Sequence, residues 1–247
     1  MSIKDNVITK ISYLKSPFKR ETICLAKSLK EKTGIEIGGP SSSFSLKSFF
    51  PIYLYAKRID GVNFSNETIW EGKLNEGFNY SYYSGKECGY QYIDEAVDLN
   101  TIYKNDYEFV LSCHSLEHIA NPIKALIRWN KLLKPGGKLC LILPDKKYTF
   151  DFNRPYTTFS HLIEDYKKNI DEHDETHFKE VIQLHDLSKD VKQNKQEFIE
   201  RTRNNFINRC VHHHVFSFEL INELLNYCGF ETIINKEFAP FHLFTFA

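Results

Sequence analysis

At 247 residues, the chain is long enough for one substantial α/β domain with an elaboration, and 42% hydrophobic against 26% charged residues marks a globular rather than a disordered protein. Lysine plus arginine equals aspartate plus glutamate at 32 each, so no overall field draws a polyanion, which argues against a dedicated nucleic-acid binder. The six cysteines form no Cys-x-x-Cys pair and read as reduced core thiols, and no run approaches the roughly 18 apolar residues of a membrane span. The opening residues also lack the apolar core of a signal peptide, so a cytoplasmic chain is expected.

In chain order, residues 8–32 carry apolar positions at helical spacing and predict one or two opening helices. Residues 34–40 read as a short buried strand followed by a tight turn, and residues 56–62 as a second strand. Residues 66–88, rich in Asn, Gly, Tyr and Ser, read as irregular, and a third strand is expected near 90–96. Residues 107–114 are strand-like, and 122–133 form an amphipathic helix with Ile123, Leu126, Ile127, Leu132 and Leu133 on its apolar face. Lys134-Pro135-Gly136-Gly137 stops that helix before an apolar strand over 138–143. Strand, helix and strand in this order make a βαβ unit with a right-handed crossover. Residues 146–208 are polar, histidine-rich and helical; residues 217–227 predict an amphipathic helix, and 231–238 with 241–246 a closing hairpin.

This order predicts a Rossmann-like three-layer α/β sandwich with a mainly parallel seven-stranded sheet, an antiparallel terminal strand and a helical insertion after strand five. The chain reads as a single domain over 1–247. Within it lie N-terminal helices (1–33), a ligand-binding core (34–145), a helical substrate-side insertion (146–210), and the final helix and hairpin (211–247).

In such sheets ligands bind beyond the carboxyl ends of the strands, where the strand order reverses. Glu36-Ile37-Gly38-Gly39-Pro40 ends the first strand, and its glycines let a ligand approach the backbone. A third glycine is missing, with Ser41 to Ser43 in its place, which disfavours a pyrophosphate-binding dinucleotide site. Asp60 suits a ribose-binding acid, or is a plain turn residue before Gly61; a carboxylate of Asp94-Glu95-Ala96 suits an adenine edge, or is a strand-end charge. His114-Ser115-Leu116-Glu117-His118 groups two histidines and a glutamate, either as metal ligands or, the simpler reading, as residues opening a helix or turn.

Cys113 to Ile119, then Asn121-Pro122, Ala125-Leu126, Trp129 and Leu132-Leu133-Lys134-Pro135-Gly136-Gly137, resemble the class I S-adenosylmethionine-dependent methyltransferases. The resemblance is to bacterial small-molecule and sugar methyltransferases of the methyltransferase-11-like type. It implies S-adenosyl-L-methionine as cofactor. Glu36, Gly38 and Gly39 would then lie beside its methionine part, Asp60 at the ribose, Glu95 and Ala96 at the adenine, and His114 beside the sulfonium and acceptor.

Methyl transfer requires an acceptor in line with the methyl group and a place for its proton. His114, Asp145 and His213 are the candidate bases; in an extended run His212 and His214 share one face and His213 takes the other. No metal is assigned. The segment from Pro144 to Asp151, with Arg154-Pro155, resembles enzymes associated with sugar and surface-polysaccharide modification. The expected activity is O-methylation of a small hydroxylated substrate, a sugar or nucleotide-linked sugar, with no nucleic-acid partner and no membrane span. Methylation of protein or nucleic acid is the alternative, and so is a non-catalytic binding module, which the incomplete glycine turn keeps in view.

Overall fold

Apolar strands alternating with amphipathic helices lead this chain to bury both faces of one sheet. The computed structural model describes residues 16–103, 106–191 and 193–247; the first part of the expected opening helices, residues 1–15, lies outside them. The strands are β1 (Thr33–Ile37), β2 (Arg58–Asn63), β3 (Glu67–Thr68), β4 (Gly72–Lys73), β5 (Gly77–Tyr80), β6 (Gly89–Ile93), β7 (Tyr107–Cys113), β8 (Leu133–Pro144), β9 (Ile234–Phe238) and β10 (His242–Phe246). The central sheet has eight strands in the order β5-β6-β2-β1-β7-β8-β10-β9. From β6 to β8 all neighbours are parallel, whereas β5 is antiparallel to β6, and β10 to both β8 and β9.

The expected seven strands become eight because β5 lies in the segment read as irregular. Glycine and asparagine are poor strand formers, and β5 is a mostly exposed edge strand with a register shift against β6, so it leaves no alternating pattern. The expected antiparallel terminal strand is β10, which sits inside the sheet between β8 and β9.

Alternation along the strands sorts the core into two layers. Leu139, Leu141 and Leu143 of β8 join Ile35 and Ile37 of β1 on one face, with α3 (Pro122–Leu132) and α8 (Phe218–Tyr227) covering them. Cys140 and Ile142 join Phe109 and Leu111 on the other, beneath α1 (Pro17–Ser28) and α2 (Ile52–Tyr55). Asn121 caps α3 by accepting from the Lys124 N–H, and Pro122 presets its first turn. At its other end, pairing of β7 with β8 jumps from Tyr107–Leu133 to Phe109–Lys138, so residues 134–137 leave the ladder as a bulge.

The insertion after β8 is helical, as expected: α4 (Phe159–Lys168), α5 (Phe178–Leu184), α6 (Lys195–Arg203) and α7 (Asn205–Asn208). It has its own small core of Phe178, Val181, Phe198 and Val211. Among the described residues, no helix is long and apolar enough to cross a membrane.

Trp129 ties α3 to the loop after β6. Its fully buried indole donates to the Ala96 carbonyl at 2.8 Å. Trp129→Phe leaves that carbonyl without its donor and is expected to lower stability by about 1–3 kcal/mol in urea unfolding. A loss below about 0.5 kcal/mol, the range of ordinary surface changes, would contradict this role.

Candidate functional site

A cavity of about 410 Å³ opens where the strand order reverses, over the carboxyl ends of β1, β2, β6 and β7. Its walls include Gly38 and Ser41 after β1, Asn63 and Phe64 at β2, Glu95 and Ala96 after β6, and His114 and His118 after β7. Trp70, from the β3–β4 hairpin, covers one side, and Glu172 and Arg209 of the insertion close another.

The turn after β1 is shaped from below by Glu36. This buried carboxylate accepts from Tyr53 Oη at 2.5 Å, Tyr80 Oη at 2.7 Å and the Ser41 N–H at 3.0 Å. Burial pushes its carboxyl up to about 7 against those hydrogen bonds. Glu36 therefore holds the loop and does not line the cavity. Gly39 fits between Glu36 and Tyr80, where a Cβ would come within 2.2 Å of the Glu36 carboxyl carbon, and it too stays behind the wall. Gly38 does line the cavity, at φ +77°, with the place of a Cβ 2.3 Å from Ser115 Oγ.

Asp60 lies elsewhere. It precedes the end of β2 by three residues, about 10 Å of strand. There it pairs with Arg58 at 3.0 Å and accepts from Tyr107 Oη at 2.9 Å and the Tyr90 N–H at 2.8 Å, tying β6 and β7 to β2. The expected strand stopped at residue 62; it continues to Asn63, which occupies the strand end on the cavity wall. Asn63 donates to the Gly39 carbonyl at 3.1 Å, and its Oδ1 is buried without a donor. Glu95 and Ala96 do line the cavity, but the Glu95 carboxylate is already held by Arg209 at 2.7 Å, and Arg209 also pairs with Glu172 at 2.9 Å. The insertion is thereby fastened to the end of β6.

The β7 edge is the polar wall. His114 takes a left-handed backbone, φ 51°, a conformation that strains a residue with a side chain. Its Nε2 is 2.9 Å from His242 Nδ1 and its Nδ1 3.6 Å from Glu117 Oε1. Burial, with His242 and His212 nearby, holds its pKa down to about 3, so the ring is neutral at neutral pH. Glu117 is fully buried, and neither carboxylate oxygen has a hydrogen-bond donor. Burial pushes it up to about 7, with His212 opposing. His118 bonds the Val211 carbonyl through Nδ1 at 3.2 Å, and His212 bonds Asp151 through Nδ1 at 2.5 Å. Burial works against charge on His212, but Asp151 outweighs it and raises its pKa. Glu117, His118 and His212 present ligand-type atoms within 4.8 Å of one another, and a second such group is His161, Asp165, His177 and His214.

Two candidate bases fall outside the cavity. Asp145 follows β8, one strand further from the reversal, where its carboxylate accepts from the Lys147 N–H at 3.0 Å. His213 is fully buried beside Asn205 at 3.1 Å, while its own N–H donates to the Glu117 carbonyl at 2.8 Å. The lining residues that sequence reasoning missed include Asn63, Phe64, Trp70 and Arg209, whereas His118 stood in the group read after the fourth strand. Extending the second strand by one residue would have found Asn63, whereas Trp70 and Arg209 carry no local signal.

Two solved structures share the fold. An S-adenosylmethionine-dependent methyltransferase from Mesorhizobium loti is 10% identical at a TM-score of 0.52, covering 93% of this chain and 95% of its own. The PH0226 protein from Pyrococcus horikoshii is 14% identical at 0.51, covering 95% and 89%. A search of curated proteins finds no match. The family model for the methyltransferase domain matches residues 24–233, and the chain belongs to that family. It is a class I methyltransferase, and its methyl donor is S-adenosyl-L-methionine.

The residues present fit that donor. Gly38 keeps the wall free of a Cβ, the orphaned Asn63 Oδ1 offers an acceptor to a hydroxyl, and Ala96 leaves room at the β6 edge. A Cβ at Gly38 adds about 1–3 kcal/mol of local strain. Gly38→Ala is therefore expected to weaken S-adenosylmethionine binding about tenfold or more in isothermal titration. Gly136→Ala, also at φ +77° but with nothing within 4 Å of the added Cβ, is the control for backbone strain alone. Equal affinity of the two variants would show that the donor does not approach Gly38.

Proposed function

We propose that the chain is an O-methyltransferase acting on a small hydroxylated acceptor, with a sugar or nucleotide-linked sugar as the substrate class. The observation that supports this reading is the wall at the β7 end, built from proton-accepting groups instead of an apolar channel. His114 and His118 line it, with Glu117 and His212 packed behind. The methyl donor supplies an electrophilic methyl group. What remains for this chain is to orient the acceptor hydroxyl, exclude water and receive the proton.

His114 is the proton acceptor in this proposal, because it is neutral and on the wall. A histidine held near 3 is a weak base by itself, and Glu117, 3.6 Å behind it and poised near 7, gives the charge somewhere to go. Asp145 and His213, outside the lining, are assigned no part in the chemistry. Glu95 and Ala96 take the adenine side, Gly38 the methionine side, and Asn63, in place of Asp60, the ribose.

Transfer of labelled methyl groups across a panel of nucleotide-activated sugars and other metabolites, with and without divalent metal, tests the substrate class. Label in a sugar hydroxyl is expected; label entering only peptide or RNA would reject it. Once an acceptor is found, His114→Ala is expected to lower kcat about 10²–10⁴-fold while leaving donor affinity nearly unchanged. Glu117 must be ionised to support the charge that His114 takes up, so kcat should rise with pH through about 7 and then level off, following Glu117. In Glu117→Gln the inflection near 7 should vanish from the kcat profile; a profile that keeps it assigns the titration to another group.

A further inference from the structure

Four side chains of the insertion and the segment that follows it converge at a place none of them shares with the cofactor cavity. His161 and Asp165 lie four residues apart on α4 and so on one helix face. His177 stands at the start of α5, and His214 follows α7 in the chain. His161 Nε2 is 2.8 Å from His177 Nε2 and 3.3 Å from Asp165 Oδ2, while His214 Nε2 is 3.9 Å from the same oxygen. All four ligand-type atoms lie within 4.8 Å of one another. A tetrahedral ion with bonds near 2.0–2.1 Å holds its ligand atoms about 3.3 Å apart, which small side-chain adjustments from these separations reach.

The protein alone satisfies this cluster poorly. Asp165 Oδ2 is buried with no hydrogen-bond donor. Two imidazole nitrogens face each other, so one proton serves both lone pairs. His214 Nε2 also lies 3.2 Å from the Ala120 carbonyl, a contact that coordination would replace. For His177 the outer shell is already arranged for a ligand role. His177 Nδ1 is 3.1 Å from Asp174 Oδ2, the carboxylate–histidine pairing that fixes a metal-binding ring.

We propose that His161, Asp165, His177 and His214 bind one divalent transition-metal ion, zinc being the ion best matched to three imidazoles and a carboxylate. Magnesium and calcium, which prefer all-oxygen shells, do not fit this donor set. The ion clips α4, the start of α5 and the run from Val211 to Phe216 together. That run also delivers His212 to the group behind the cavity wall, so the metal fixes the acceptor-side wall without touching the reacting atoms.

The test uses the purified full-length protein. After dialysis, elemental analysis should find about one equivalent of transition metal per chain, and a strong chelator should lower Tm in a way that zinc, but not magnesium or calcium, restores. His161→Ala, at a half-exposed position that tolerates truncation, and Asp165→Asn should each weaken zinc binding more than about 100-fold in a chelator-competition titration. Glu117→Gln, in the other histidine cluster, should keep the metal. The proposal is overturned if the protein takes up no transition metal and its Tm ignores zinc and chelator alike. It is equally overturned if the ion leaves in Glu117→Gln but stays in His161→Ala.

Discussion

The reversal of strand order between β1 and β7 is the constraint on which the rest of the structure depends. Parallel strands need crossovers, and crossovers of one hand carry the chain away from β1 in opposite directions on the two halves of the sheet. The loops after β1 and β7 therefore part and leave a crevice that sheet packing cannot fill. The residues of the cavity are the answers to that gap. Gly38 keeps its floor low, Glu36 pins the turn from beneath, and Trp129 anchors the β6 loop by one hydrogen bond.

The insertion closes the crevice by burying charge, which is feasible only where each charge has partners. Arg154, almost fully buried, is the clearest instance. Its guanidinium reaches Asp151 at 2.8 Å, the His212 carbonyl at 2.8 Å, the His213 carbonyl at 3.2 Å and Glu180 at 2.9 Å. A planar fork of five donors suits this task; a lysine could not meet four directions at once. Arg154 thus fixes the backbone of the histidine run. Asp151 serves it twice, because the same carboxylate orients the His212 ring toward Glu117 and His118.

Arg209 couples the two sides of the cavity. By pairing with Glu95 at the end of β6 and Glu172 of the insertion, it makes the cofactor wall and the cover one electrostatic unit, with Phe64 beneath the guanidinium at 4.9 Å. The three consecutive histidines behave differently from one another for a similar reason. His212 joins the group behind the polar wall, His213 packs against Asn205, and His214 turns to Asp165 and His177. Adjacent residues serve separate clusters because each meets a different element of the insertion.

The sequence by itself determined the parallel core, the α3 helix, the glycine turn and the helical insertion, because these rest on short-range periodicity and turn chemistry, and its motifs after the fourth strand carried the resemblance to the family. Gly38, Glu95, Ala96 and His114 were legible as cavity residues for the same reason: each ends a recognisable strand. Only the tertiary structure decided that Asp60 is a clamp between strands and that Asn63 holds the strand end, since Asp60 lies three residues before that end, where Arg58, Tyr90 and Tyr107 engage it. It alone showed β5, an edge strand without alternation, and it alone removed Asp145 and His213 from the wall. Which of ten histidines meet one another is fixed by contacts between residues far apart in the chain, and neither composition nor spacing encodes those distances.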